Sequence, residues 1–272
     1  MAYRILLALA LACFAVPALA QESQLDVVLK RDKLIVGTYS TSPPLAYVDD
    51  KGELVGFEID MAHEIAKDLL GDPNKVEFVV LQSDGRFPAA LSGKIDFGLC
   101  STTIFPERAI RIAFTRPYLD TGNSFIVRKD AGIKTIKELN DPKYTFATLN
   151  VPPAIERAKQ MMPNVKLLLL DSPSALFLAV KTGRATAFAI DKPIADFYEH
   201  ENDDLTRLDV NGTIFAYVSI FLKPGDFKWW LFLDTWVGEL RSGTRYFKYV
   251  EWYQKWLHKD PSPQRFYDFN KY

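Results

Sequence analysis

Cysteine and histidine are scarce in this sequence. Its 272 residues include two cysteines, Cys13 and Cys100, and three histidines, His63, His200 and His258. Two cysteines cannot build a disulfide framework, and histidines this far apart lack metal-ligand spacing. No metal and no other cofactor is therefore expected. An excess of one charge is missing too, since 33 Lys and Arg stand against 34 Asp and Glu. Without a basic stripe or tail, nucleic-acid binding is excluded. Long apolar runs are absent except at the amino end, "MAYRILLALALACFAVPALA". There Arg4 precedes an apolar stretch ending in Ala18-Leu19-Ala20, the pattern of a secretory signal peptide over residues 1–20. The run is too short for a transmembrane anchor. A lipid anchor at Cys13 in "ALAC" is the alternative, with Ala10 where leucine is usual. Cleavage removes Cys13 and leaves Cys100 without a partner. About 250 residues remain, enough for a large core and two lobes.

What is present alternates between strand-like and helix-like segments. "KLIVGTY" reads as a buried strand running into the turn-rich "STSPP", and a hairpin turn falls at Asp50-Lys51-Gly52. In "FEIDMAHEIAKDLLG" the residues Met61, Ala62, Ile65 and Leu69 recur at helical spacing. Glu58, Glu64 and Lys67 are expected to face out, and Gly71 to end the helix. "KVEFVVL" is the next strand. This alternation predicts an α/β fold with parallel strands. An internal echo points to two related lobes. "ALSGKIDFGL" and "AVKTGRATAFAI" each run from the end of an apolar helix through Ser or Thr, Gly and a basic residue into a strand. One strand delivers the chain to "CSTT", the other to Asp191. Chance likeness of short helix-to-strand turns is the alternative. Two lobes would aim their strand ends at one cleft, where ligands bind in open α/β sheets. The five tryptophans, Trp229, Trp230, Trp236, Trp252 and Trp256, recur at helical spacing and read as core. The proline-broken tail from His258 is expected on the surface.

The segment "CSTTIFPER" carries the chemistry. Ser101, Thr102 and Thr103 follow the strand "KIDFGL", and Pro106 suits the first turn of a helix over "FPERAIRIAF". A helix amino end with free N–H groups attracts anions, and Arg108 adds a planar fork for a carboxylate. Equally, Thr103 could cap that helix while Arg108 pairs with Glu107 or solvent. Spacing leaves both readings open.

"GFEIDMAHEIAKDL", followed by "DGRFPAALSGKIDFGLCSTTIFPERAIRIAFTRPY", resembles the family 3 extracellular solute-binding proteins of amino-acid ABC transporters. The likeness runs from about Lys33 to about Pro261. It implies a periplasmic-binding-protein-like α/β fold of type II, two lobes joined by two hinge strands. Lobe 1 would comprise residues 21–122 and 221–272, lobe 2 residues 123–220, with hinges near 120–124 and 218–222. By the same resemblance Arg108 grips a carboxylate, Ser101 and Thr103 assist, and Asp191 takes the α-ammonium. Asp191 as a plain helix cap is the alternative. Ser83 and Arg86 in "SDGRFPA" are similar to the glutamate/aspartate-binding members, where the arginine reaches a side-chain carboxylate. An exposed, uninvolved Arg86 is the alternative.

Several positions depart from the family pattern. Val151-Pro152-Pro153 replaces a hydroxyl-rich turn, and two prolines cannot donate N–H bonds. Pro173 stands where acidic-amino-acid binders have a histidine, Tyr39 where they have an arginine, and Ser42 where basic-amino-acid binders have an aromatic. A ligand with an apolar portion against Val151, Pro152 and Tyr39 is expected. The resemblance implies a monomeric periplasmic component of an ABC importer, binding an amino acid (acidic or polar favoured) or related carboxylate for an inner-membrane permease. An accessory or sensor protein is one alternative. A cyclohexadienyl dehydratase-like enzyme is another, but its catalytic glutamate falls at Ala154, with Glu156 two residues on. No Ser-His-Asp constellation or Cys–His pair stands out, so no enzymatic activity is expected.

Overall fold

The structure, a computed structural model, describes residues 22–208 and 215–261. The expected signal peptide, Cys13 and the tail beyond residue 261 lie outside the described residues. The chain opens with α1 (Gln24–Arg31), β1 (Leu34–Thr38), and a three-stranded sheet of β2 (Thr41–Ser42), β3 (Ala46–Val48) and β4 (Leu54–Val55). Asp49 shapes the hairpin between β3 and β4: its Oδ1 accepts from the N–H groups of Lys51 and Glu53, each at 2.9 Å. Next come α2 (Phe57–Leu70), β5 (Val76–Val80), α3 (Arg86–Leu91), β6 (Phe97–Thr103), α4 (Pro106–Ala109) and β7 (Ala113–Phe114). The chain continues through β8 (Leu119–Arg128), α5 (Ile136–Leu139), β9 (Thr145–Leu149), α6 (Pro152–Met161), β10 (Lys166–Leu170) and α7 (Pro173–Lys181). It ends with β11 (Ala187–Asp191), α8 (Lys192–His200), β12 (Leu205–Arg207), β13 (Phe215–Leu222), α9 (Phe227–Ser242) and α10 (Tyr246–Leu257).

Two parallel half-sheets carry the lobes. β5, β1 and β6 pair in parallel in one, and β10, β9 and β11 do so in the other. Between them lie β8 and β13, antiparallel to each other, in the order β10-β9-β11-β8-β13-β6-β1-β5. β13 binds β6 of the first lobe, and β8 binds β11 of the second. The chain therefore crosses between the lobes along a matched pair of strands. Such a pair can flex as a hinge without breaking either half-sheet.

The two echoed segments have the same local geometry. α3 and α7 end at Ser92 and Thr182, and Gly93 and Gly183 both adopt φ of 76°. That left-handed turn suits glycine, and it reverses the chain into β6 and β11. Each strand then points its carboxyl end at the space between the lobes.

The first lobe's core is aromatic. The Phe57 ring meets Tyr118, Tyr249, Trp252 and Tyr253 at centroid distances of 5.8–6.5 Å. Trp229, Trp236 and Trp252 are buried, while Trp230 and Trp256 pack partly buried at its edge. The indole N–H groups of Trp229 and Trp230 donate to the carbonyls of Asp96 and Phe114.

One expected element is shorter than its sequence suggested. The helix over "FPERAIRIAF" stops at Ala109, and Ala113–Phe114 forms β7 against Leu222 and Phe221 of β13. Sheet pairing and the Trp230 bond to Phe114 hold that segment extended, against its helical periodicity.

Close packing also constrains β6. A Cβ at Gly98 would lie 2.0 Å from the Phe221 ring, which pairs opposite it. Gly98→Ala is expected to cost about 1–3 kcal/mol by overpacking. In thermal unfolding, the midpoint should drop by several degrees, at about 2–4 °C per kcal/mol. An unchanged midpoint would contradict this account of the strand.

Candidate functional site

β6 and β11 end facing each other across the cleft. Ser101, on β6, takes φ of 43°, left-handed backbone that a non-glycine residue adopts only under constraint. Both of its donors are engaged. Its N–H donates to Glu58 Oε1 at 2.7 Å, and its hydroxyl to Asp191 Oδ2 at 2.7 Å. The second bond joins the first lobe to the second.

Around this junction lies a cavity of about 100 Å³. Arg86, Ser101, Thr103, Arg108 and Asp191, all named from the sequence, line it. Tyr39 and Ser83 stand behind the wall. The Tyr39 hydroxyl accepts from Arg86 and donates to Ser83 Oγ at 3.2 Å; Ser83 in turn donates to the Asp171 carbonyl at 3.1 Å. Tyr39, expected to meet an apolar part of a ligand, thus has its hydroxyl committed to Arg86 and Ser83. A guanidinium removed from water needs an acceptor, and the phenol oxygen supplies one. Ser83 serves that same chain, which ends on a second-lobe carbonyl.

Arg86 is 5% exposed, so the solvent-facing alternative does not hold, and its Nε has no partner. Arg108 does not pair with Glu107; it donates to its own Thr103 carbonyl at 2.7 Å. Burial is the main force lowering its guanidinium pKa to about 10, with Arg86 pushing the same way. Thr103 caps nothing. The N-cap position of α4 is Phe105, without a side-chain bond, and a four-residue helix contributes little of the expected anion site. The Phe105 ring instead meets both Arg108 and Arg157, with guanidinium carbons 4.9 and 5.1 Å from its centroid. Each such contact contributes about 0.5–2 kcal/mol.

Arg157 of α6 also lines the cavity, and it was missed from the sequence. Its signal was there: Ala154, Arg157, Ala158 and Met161 lie on one helical face. Among the described residues no carboxylate forms an ion pair with Arg86, Arg108 or Arg157. Asp191 is the one carboxylate lining the cavity with them. It occupies the N-cap position of α8 without making a cap bond, because its side chain turns to Ser101. Burial raises its pKa, opposed first by the Ser101 bond and then by Arg86, Arg108 and Arg157.

The start of α6 has no donors to spare. Pro152 and Pro153 have no N–H. Val151 donates to the Leu149 carbonyl, and Ala154 and Ile155 both donate to the Val151 carbonyl. This helix end cannot hold an anion as helix amino ends otherwise do.

Glu58 overturns an expectation outright. It was expected to face solvent, yet it is fully buried, accepting from Ser101 N–H and the Tyr118 hydroxyl, with Oε2 unpartnered. Position 58 precedes Met61 and Ala62 by three and four residues, so it lies on the apolar face of α2. Burial pushes its carboxyl up to about 7 from 4.5, opposed by the Tyr118 and Ser101 bonds and assisted by Asp191. Between those values the folded chain keeps a proton that the unfolded chain has lost. The contribution to stability therefore falls as pH rises from 4.5 to about 7. The full change is about 3 kcal/mol. Glu58→Gln should flatten this slope in urea unfolding followed across that window; parallel slopes for both proteins would refute the assignment.

With this geometry in hand, comparison with known proteins is informative. The family model for bacterial extracellular solute-binding proteins, family 3, matches residues 34–259. The glutamine-binding protein GlnH of an ABC transporter in Bacillus subtilis is 27% identical over 244 residues, covering 89% of this chain and 88% of its own. The glutamate/aspartate import solute-binding protein of Escherichia coli is 24% identical, covering 92% of this chain and 84% of its own. Among solved structures, an ancestral amino-acid-binding protein described as a precursor of cyclohexadienyl dehydratase is similar at a TM-score of 0.78. It is 31% identical, covering 86% of this chain and 100% of its own. The fold is that of the type II periplasmic amino-acid-binding proteins. By sequence and by architecture, the chain belongs to the bacterial extracellular solute-binding proteins, family 3.

Proposed function

We propose that this chain is the periplasmic solute-binding component of an ABC importer, taking an amino acid or related carboxylate into the cavity between its lobes. One observation carries the reading: Arg108 and Asp191, of opposite charge and from opposite lobes, line a single cavity. A zwitterion offers a carboxylate to the first and an ammonium to the second. Contacts to both lobes favour the closed arrangement, in which Ser101 meets Asp191 and Ser83 meets the Asp171 carbonyl. The closed form, as a monomer, would then be read by a permease in the inner membrane.

An acidic or polar ligand is favoured within this class. Arg86 lines the same cavity with a buried, unpartnered Nε, and a buried donor gains most from an acceptor. Three guanidiniums facing one carboxylate leave positive charge for the ligand to neutralise.

Binding without turnover is part of the proposal. Glu156 is exposed and lies off the cavity, while Ala154 lines it. No acidic side chain is therefore offered where dehydratase-like chemistry would need one. Incubation with prephenate or arogenate is expected to yield no product, and measurable turnover would replace this reading.

Arg108→Ala should weaken carboxylate binding by at least about tenfold, since hydrogen bonds to charged groups contribute roughly 1.5–3 kcal/mol each. Calorimetry showing unchanged affinity would remove Arg108 as the anchor. Arg86→Ala should cost more for a dicarboxylate than for a monocarboxylate, and equal losses would remove the preference for acidic ligands.

A further inference from the structure

The cavity does not stop at the charged cleft. It continues into the second lobe, between α6 and the sheet, and its lining changes with depth. On the sheet side Asn123 and Phe125 of β8 alternate, while β9 and β11 also contribute the adjacent Leu149 and Ile190 near their carboxyl ends. At the mouth Asp191 pairs with Asn123; one step in, Ala189 pairs with Phe125, with Thr148 at the same level of β9. Phe146, paired with Ala187, forms the next step. On the helix side the order is Ala154, then Arg157 beside Ala158, and then Met161. The walls thus run from charged, through small, to apolar.

The space exists because of the small residues. Three alanines, Ala154, Ala158 and Ala189, stand where larger side chains would close the gap between helix and sheet. The backbone of α6 adds no polar demand, since its first N–H groups are either absent at proline or already donated. An apolar group there meets mostly carbon, from Phe125, Phe146, Ala158 and Met161, with the Thr148 hydroxyl as its polar neighbour. A charged group there would lose its water without finding a partner.

We infer that the ligand is an acid with an apolar tail: its carboxylate end sits among Arg86, Arg108 and Arg157, and an aliphatic chain or aromatic ring extends beneath α6. This rests on the carboxylate-binding reading above and narrows it. The arginines select the head, and the alanine-lined channel selects the tail. Met161, with its flexible thioether, closes the far end and adapts to the length of what enters.

The test uses the full mature chain and two homologous series with constant heads. One is alanine, 2-aminobutyrate, norvaline and norleucine; the other is succinate with methyl, propyl, butyl and benzyl substituents. Affinity by calorimetry should tighten by about fourfold per added methylene, the ratio for burying one such group. Ala158→Leu should abolish that gain while keeping the affinity for the shortest member, which also shows that the variant folds. Met161→Ala should extend the gain to longer tails, and it decides the matter should Ala158→Leu fail to fold. Affinity independent of tail length, or a gain that persists in Ala158→Leu, would overturn the channel but leave the carboxylate site standing. If no member of either series binds, the site reading itself fails and the channel falls with it.

Discussion

Ser101 holds two carboxylates from two lobes with its own two donors, and much of the cleft follows from that arrangement. Its backbone N–H is committed to Glu58, which anchors the end of β6 to α2. Its hydroxyl is committed to Asp191, which brings the end of β11 against it. A residue at φ of 43° could relax elsewhere, but relaxing would leave Asp191 Oδ2 without its Ser101 donor and Glu58 Oε1 with Tyr118 alone. The strain is maintained by its partners. It sets where Thr103 and Arg108 stand, because Arg108 donates to the Thr103 carbonyl two residues beyond.

The charge balance extends this logic. Three guanidiniums line the cavity, and the acids near them are Asp191 and Glu58, both pushed toward protonation by burial. An anion entering the cleft therefore meets donors that are already desolvated and held in position. Arg86 is fixed by Tyr39, and Tyr39 by Ser83, so the relay that orients Arg86 passes to the second lobe at Asp171. Orientation of the guanidinium is thereby linked to contact between the lobes.

Much of this was legible in the sequence, and the illegible part has a consistent cause. α2, the two echoed turns and the strands they deliver were readable because helical period and glycine placement are local signals. Ser101, Thr103, Arg108 and Asp191 were named through the family resemblance of the "CSTTIFPER" and "FAIDKP" segments, since spacing alone left a helix cap equally open. Glu58 was misread because its residue type outweighed its position, although its spacing to Met61 and Ala62 pointed inward. Tyr39 and Ser83 were placed in the wall because sequence gives no depth: the same residues can touch a ligand or hold the arginine that lines the cavity. β7 was lost to helical periodicity because its strand partner, β13, lies more than a hundred residues away. Each of these depends on contacts between distant segments.

Phe105 and the Val151-Pro152-Pro153 turn become one feature across the cleft. Phe105 takes the N-cap position of α4 without a side-chain bond, and Val151-Pro152-Pro153 opens α6 without spare N–H donors. Taken separately, each removes polar contacts from its own wall. Across the cleft they meet through Arg157, one turn into the helix that the prolines begin, whose guanidinium carbon lies 5.1 Å from the centroid of the Phe105 ring that Arg108 also approaches. A side-chain cation thus supplies donors that the backbone at the start of α6 lacks, and the Phe105 ring gives it an aromatic face to rest on. The same arrangement leaves the start of α6 without polar demands, and that permits an apolar passage beneath the helix.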